Sequence, residues 1–144
     1  MARLNMYSKA DRNVARLSRM WNVPKPDCRE GCPGYGNAGL YSAEYTATAY
    51  TAAHPKGHQV RVGAFILLAS SSTWATIVET TAHEFAHHLM HVWGIDARNK
   101  SGEKDCHAAI FWAVLAEVRA SILPGNRFRE LAHNAVEHID PSWK

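Results

Sequence analysis

Apolar residues at the front of the chain recur with the period of a helix. Over residues 8–21 every third or fourth position is apolar, which predicts an amphipathic helix with Ser8 as its N-cap. The predicted buried stripe consists of Val14, Leu17 and Trp21. The next segment, 24–40, is rich in Pro and Gly and is therefore expected to form a loop.

The pattern changes to a period of two in the following part of the chain. Residues 40–51 alternate between two sets of side chains and are rich in Tyr and Thr, which predicts a strand. Turn-forming residues follow at 54–57, and 60–69 predicts a second strand whose continuously apolar second half is buried on both faces. The two strands are expected to form a hairpin or to be neighbours in a small sheet.

Helical periodicity returns in the second half of the chain. Residues 74–93 contain no Gly or Pro, follow a run of Ser and Thr that offers N-caps, and precede Gly94, a C-terminal stop signal. A further helix is expected over 105–123, with Asp105 as its N-cap, and a last helix over 127–139. Helices that flank a small sheet predict an α+β fold.

Length and composition fit one domain over residues 1–144. The 144 residues are 47% hydrophobic and 20% charged, which is ordinary for a folded domain of this size. The longest apolar run, 62–69, is too short to span a bilayer, and the first residues contain no apolar signal segment. We therefore expect a cytoplasmic protein without a membrane partner.

The three cysteines are expected to be free thiols. Their odd number and the expected compartment both disfavour a disulfide framework. Cys28 and Cys32 are close in sequence and could supply half of a zinc site, but a four-cysteine site needs two more ligands and only Cys106 remains. The role of Cys28 and Cys32 stays open at this point.

Charge is distributed unevenly along the chain. The net charge is +3, with nine basic and four acidic residues over 1–72 and seven basic and nine acidic residues over 73–144. A basic N-terminal half is compatible with weak nucleic-acid association. The solvated face of a packed helix accounts for the same charges, and no aromatic residues alternate with them.

The motif His83-Glu84-x-x-His87 carries the candidate chemistry. Residues four apart lie on one face of a helix, so His83 and His87 present two imidazoles to a single point. Glu84 points slightly aside, within reach of a metal-bound water. This division of roles is typical of a zinc metallopeptidase, in which the two histidines bind Zn²⁺ and the glutamate is the general base.

A catalytic zinc usually takes a third protein ligand, and the sequence leaves several candidates. The metzincin spacing would place that ligand at Trp93, so this alternative fails. His107 lies at the start of the next predicted helix, and the connection must fold back to bring it to the motif. Glu117 is a rival inside that helix, and Glu103 and Asp105 are weaker candidates on or beside the connection.

These features together resemble the SprT-like zinc metallopeptidases. The resemblance covers roughly residues 8–123 and rests on the His-Glu-x-x-His motif, the buried strand before it, and His107 followed by Phe111. Ala108 stands where the family commonly has Gly. The resemblance implies a zincin-like domain, with a small sheet packed against the N-terminal helix and the active-site helix and with further C-terminal helices. It also implies that His107 is the third zinc ligand.

Three functions are compatible with this sequence. The leading hypothesis is a zinc-dependent peptidase that hydrolyses a protein or peptide substrate with metal-activated water and Glu84 as base. The second is a non-catalytic zinc-binding or interaction module. The third is a regulatory peptidase similar to the ImmA type, which cleaves repressors and whose third ligand is a Glu, here Glu103.

Other polar residues lie near the motif. Glu79 is a candidate partner for the outer N–H of a ligand imidazole. The donor that would stabilise an oxyanion is not identified, and the candidates are His88, His91 and Tyr50. Neither a substrate preference nor an oligomeric state follows from these residues.

Overall fold

The computed structural model describes residues 2–34, 36–71 and 73–122, and over these residues the chain has an α+β fold. Three helices and five strands occur in the order α1 (Ala2–Trp21), β1 (Asp27–Glu30), β2 (Gly39–Ser42), β3 (Tyr45–Ala49), β4 (His58–Val62), β5 (Phe65–Leu68), α2 (Trp74–Val92) and α3 (Ala109–Ile122). The α+β prediction is confirmed. None of the three described helices has the combination of length and apolar character needed to cross a bilayer. The predicted helix over 127–139 lies outside the described residues.

Each of the two predicted strands is divided in the structure. β2 pairs antiparallel with β5, and β3 pairs antiparallel with β4. Ser42 pairs with Phe65 and Tyr45 pairs with Val62, so the two strand pairs have the same register. They form a single two-stranded ribbon that is interrupted at residues 43–44 and 63–64. No residue from 43 to 65 is buried, so the ribbon leaves the core at the interruption. We call the outer part, residues 45–62, the β3–β4 arm.

The sequence predicts a loop over 24–40, and this prediction is wrong in part, because the segment contains β1. This strand pairs parallel with β5, which gives the sheet order β1-β5-β2. Cys28 faces the core from β1 and is 5% exposed. The central strand β5 is apolar throughout and has neighbours on both sides, so a short strand with one buried residue is enough to complete the sheet. β2 remains an edge strand.

The first helix is longer than predicted. α1 begins at Ala2, and Ser8 is an exposed residue within it rather than its N-cap. The buried stripe continues one turn further towards the N-terminus because Tyr7 and Ala10 are also buried, in register with Val14. Val14 and Leu17 are fully buried as predicted, and Trp21 packs at the edge of the core.

The helix α2 lies at the centre of the packing and agrees with its sequence signals. Thr73 is the N-cap, with its hydroxyl accepting from the N–H of Thr76 at 3.4 Å. The helix ends at Val92, and Gly94 follows with a φ of 64°. The other helices and strands β2 and β5 pack on α2, and its buried residues are Ile77, Val78, Thr81, Ala82, Glu84, Phe85, Ala86, His88, Leu89 and Met90.

The helix α3 begins at Ala109, four residues after the predicted start. Asp105 instead opens a turn, in which its carbonyl accepts from the N–H of Ala108 at 3.1 Å. At the other end of α3, the guanidinium of Arg16 lies 3.4 Å from the carbonyl oxygens of Ser121 and Ile122. This contact places a cation at the C-terminus of the helix, where it is favourable.

Candidate metal site

Three imidazoles converge beside α2. His83 and His87 come from successive turns of this helix, and His107 comes from the turn before α3. The Nε2 atom of His107 lies 3.2 Å from that of His83 and 3.2 Å from that of His87. Tetrahedral zinc with bonds of ~2.05 Å to nitrogen separates its donors by about 3.3 Å. The observed spacing therefore fits three nitrogen ligands of one metal ion.

His107 is held in place by its own turn. Its backbone N–H donates to the Asp105 carboxylate at 3.0 Å, and its carbonyl accepts from the Trp112 indole N–H at 3.0 Å. The connection before it folds back on itself through a short antiparallel bridge between Arg98 and Lys104. This provides the fold-back that the sequence analysis required for His107.

Phe111 packs against all three imidazoles. Its ring is fully buried and stacks on His87, with centroids 4.4 Å apart and planes at 22°. It meets the rings of His83 and His107 edge-on, with centroid distances of 4.9 Å in both cases. The spacing of four residues between His107 and Phe111 thus has a structural reason, because the aromatic ring supports the whole donor set.

The two histidines on α2 are in the neutral form that metal binding requires. Burial lowers the pKa of His87 to about 4, and the neighbouring His83 and His107 add to this effect. Burial likewise lowers the pKa of His83, followed by the influence of His107 and Arg119. Both rings are therefore neutral at neutral pH, which is the form that donates a lone pair to a metal ion.

Glu84 provides a carboxyl group in the same cleft. Its side chain is 7% exposed, and burial raises its pKa to about 7, an effect that the nearby backbone of Tyr41 partly opposes. The cleft has a volume of about 800 Å³, and His83, Glu84, His87 and His107 all line it. β2 lines one side of this cleft and the segment 95–107 lines another.

Two of the three rival third ligands, Glu103 and Glu117, lie outside the cluster of imidazoles. In the described part of the chain, Glu103 and Glu117 are exposed, and neither belongs to a group of residues with metal-ligand spacing. Asp105 and Cys106 form such a group with His107, since the three are consecutive in sequence. Because Asp105 accepts from the backbone of His107, it acts within the turn that presents this ligand.

Cys28 and Cys32 do not belong to the candidate metal site. Cys28, Cys32 and Cys106 are all free thiols, and Cys28 is buried in the core. Burial, and next the charge of Asp11, raise the pKa of Cys28 to about 12, so it remains a neutral thiol. Neither Cys28 nor Cys32 occurs in a metal-ligand group among the described residues.

Several polar residues near the motif have other partners than the sequence analysis proposed. Glu79 forms an ion pair with Arg119, whose Nη2 and Nε lie 2.8 and 3.0 Å from one carboxylate oxygen. His88 is buried, and both of its ring nitrogens are in hydrogen-bonding contact within the fold. Tyr50 is 71% exposed and follows β3 in the outer part of the ribbon, whereas His91 lines the cleft.

Sequence reasoning missed the contact between Tyr41 and His88. The hydroxyl of Tyr41 lies 2.8 Å from Nδ1 of His88, and the rings are 5.4 Å apart. The residues are 47 positions apart, and the predicted strand 40–51 contains two more tyrosines besides Tyr41. No local signal distinguishes Tyr41 from the others, so only the position of β2 beside α2 reveals the pair.

In the part of the chain that the structure describes, three of the nine basic residues of the N-terminal half form ion pairs. Lys25 contacts Asp11, Arg29 contacts Asp27, and Arg61 contacts Glu44. Surface pairs of this kind contribute little to stability, but they lower the net field that a nucleic acid would meet. Nucleic-acid association through this half stays a prediction.

Comparison with known proteins adds no relative. No family model, curated protein or solved structure matches this chain. Function is therefore argued from the geometry of the cleft and from the motifs in the sequence.

Proposed function

We propose that this chain is a zinc-dependent peptidase with a zincin-like, SprT-like domain. The observation that carries the proposal is the convergence of three imidazoles, with Nε2 of His107 3.2 Å from that of each of the other two, in a cleft that also contains the buried carboxyl group of Glu84. His83, His87 and His107 would hold the metal ion. The residue pattern of His107 and Phe111, on which the resemblance rests, supports the same assignment.

The donor set favours zinc by its chemistry. Three neutral imidazoles with tetrahedral spacing suit a borderline-soft cation, and three protein ligands leave one position for water or substrate. His107 is exposed and the cleft is open above it, which fits a catalytic site better than a closed structural one. When bound, zinc supplies a Lewis acid and lowers the pKa of a coordinated water to near ~7.

Glu84 is the proposed general base. Its pKa of about 7 lets the carboxylate accept a proton from the attacking water near neutral pH and donate it to the leaving amine. Phe111 keeps the three imidazoles in place during this exchange, because it contacts every one of them. The residue that donates to the oxyanion is not assigned, and His91 is the remaining sequence candidate that lines the cleft.

A polypeptide is the proposed substrate class. β2 is the edge strand of the sheet and lines the cleft, so some of its main-chain groups face outward next to Glu84. An extended peptide can pair with such an edge, and this mode of binding depends little on side-chain identity. The substrate's sequence and any role of nucleic acid are not part of the proposal.

The test combines metal content with hydrolysis of an unfolded protein such as casein. We expect one zinc per chain in the wild type, loss of zinc in His107→Ala, and retention in Glu103→Ala and Glu117→Ala, which remove exposed carboxylates. Glu84→Gln is expected to keep zinc and lose hydrolysis. Zinc loss in Glu103→Ala instead of His107→Ala would favour the ImmA-type alternative. A zinc-loaded wild type without hydrolysis of any peptide would favour the non-catalytic module.

A further inference from the structure

We infer that Tyr41 and His88 form a positioning pair that holds the base Glu84 at the free edge of β2. The inference rests on the proposed function, because it concerns the same base. Neither residue of the pair binds the metal in this assignment. Their effect on the reaction passes through the position of the Glu84 carboxyl group.

The two partners of His88 determine which of its ring nitrogens donates a hydrogen bond and which accepts one. Its ring is 2% exposed, with Nε2 lying 2.6 Å from the carbonyl oxygen of Pro24 and Nδ1 lying 2.8 Å from the hydroxyl of Tyr41. A carbonyl can only accept, so Nε2 carries the hydrogen and donates it. In the neutral ring Nδ1 is then the acceptor, and the Tyr41 hydroxyl donates to it. The hydroxyl hydrogen of Tyr41 is therefore not available to an oxyanion.

The main chain of Tyr41 points in the direction of Glu84. The N–H of Ala69 donates to the carbonyl of Ala38 at 2.8 Å, which fixes the alternation of hydrogen bonds between β2 and β5. In an antiparallel pair successive residues alternate between facing the partner strand and facing away. Tyr41 is three positions beyond Ala38, so its N–H faces away from β5, at the edge of β2 that lines the cleft together with Glu84.

A close approach of β2 to α2 makes this contact possible. A Cβ atom placed on Gly39 would overlap Cγ2 of Thr80 and would lie 3.2 Å from Cγ of Glu84. The strand and the helix therefore touch at Gly39, with no room for a side chain. The main-chain N–H groups of Gly39 and Tyr41 both face away from β5, and Glu84 lies against β2 at Gly39.

These contacts form one continuous path to the base. The carbonyl of Pro24 fixes the His88 ring, the ring fixes the Tyr41 side chain, and β2 lies against Glu84 at Gly39, two residues before Tyr41. In the proposal, the outward N–H of Tyr41 donates to the Glu84 carboxylate. Edge strands have unpaired main-chain groups on one side and are free to shift. The side-chain hydrogen bond to α2 restrains β2 where the base needs it.

The test uses Tyr41→Phe, which keeps the ring and removes the hydroxyl. Amide hydrogen exchange is measured by NMR on the chelator-treated, metal-free protein at position 41. Wild type is expected to show protection, although the strand edge has no neighbouring strand, and Glu84→Ala is expected to lose it. Tyr41→Phe is expected to lower this protection about fivefold, because a net hydrogen bond is worth roughly 1 kcal/mol. Tyr45→Phe, which removes an exposed hydroxyl on the β3–β4 arm, is the matched control and is expected to change nothing.

The zinc-loaded protein gives a second readout. Tyr41→Phe is expected to keep full zinc content and an unchanged KM, while kcat falls about tenfold. A purely structural role would lower the amount of folded protein instead of kcat per zinc site. Unchanged exchange at position 41 in Tyr41→Phe would overturn the inference, as would lost protection with wild-type kcat.

The two proposals fail in different ways. If the wild type hydrolyses peptides but Tyr41→Phe matches it in exchange and in kcat, the positioning pair is wrong and the peptidase stands. If the wild type hydrolyses nothing, exchange at position 41 still decides whether Tyr41 and His88 hold the carboxyl group of Glu84.

Discussion

Replacing Gly39 with alanine adds a methyl group at the point where β2 touches α2. Gly39 has no positive φ, so alanine causes no backbone strain there and only the contacts matter. The new Cβ would overlap Cγ2 of Thr80 and lie 3.3 Å from the carbonyl oxygen of Leu67. Ordinary contacts between carbon atoms are ~3.5–4.0 Å, so the strand must move by about 1 Å.

The expected cost follows from this displacement. Overpacking of this kind destabilises by about 1–3 kcal/mol, which is a large part of the stability of a small domain. A shift of about 1 Å at a group that orients a base can also reduce kcat by up to ~100-fold. We therefore expect Gly39→Ala to lower the free energy of unfolding and to lower kcat more than its residual folding explains.

The assay is urea unfolding of the metal-free protein, followed by hydrolysis with the zinc-loaded protein. Gly63→Ala is the matched control, because a Cβ at Gly63 has no atom within 4 Å and its φ is not positive. In that variant the free energy of unfolding is expected to stay unchanged or to rise by about 0.4–1 kcal/mol, because alanine reduces the entropy of the unfolded chain. Thr80→Ser removes the overlapping methyl group. Combined with Gly39→Ala, it is expected to restore part of the stability and kcat that Gly39→Ala alone loses. Equal stabilities for Gly39→Ala and Gly63→Ala, or no relief from Thr80→Ser, would refute the reasoning.

Two further predictions concern the site itself. The raised pKa of Glu84 means that its contribution to stability is fully present below the unfolded pKa of 4.5 and is lost as the pH rises through about 7. Metal-free Glu84→Gln should therefore unfold like the wild type at low pH and be more stable by ~2–3 kcal/mol at pH ~8, as measured in urea; a difference independent of pH would contradict this. Phe111→Leu is expected to weaken zinc affinity about tenfold in a chelator competition, because the stacked ring no longer supports the imidazoles. Phe85→Leu, at an equally buried ring that packs on His88 and not on the three proposed ligands, should lose similar stability but keep zinc affinity.

Local signals in the sequence are sufficient to predict the helix α2 and two of the candidate ligands, His83 and His87. The positions of His83 and His87 relative to each other depend only on helix geometry, and the helix is delimited by Thr73 and Gly94. His107 was left among rivals because its approach depends on how the connection after α2 folds. In the structure, the Arg98–Lys104 bridge of that connection and the ring of Phe111 bring His107 next to the other two imidazoles.

Long-range pairing explains what the sequence could not predict. β1 has one buried residue, Cys28, and forms only because β5 offers it a free side. The division of each predicted strand depends on where the ribbon leaves the core, and the alternating pattern continues across that point. The pair of Tyr41 and His88 likewise exists only after β2 has packed on α2.

The exposed β3–β4 arm has a practical consequence for experiments on this protein. Residues 51–56 at its tip are all exposed, and β2, the strand that lines the cleft, lies beyond the interruption in the ribbon. Tips of this kind tolerate inserted sequence well. An epitope or a fluorescent reporter could thus be spliced in there, which would give a handle for immobilisation that leaves both the cleft and the helices untouched.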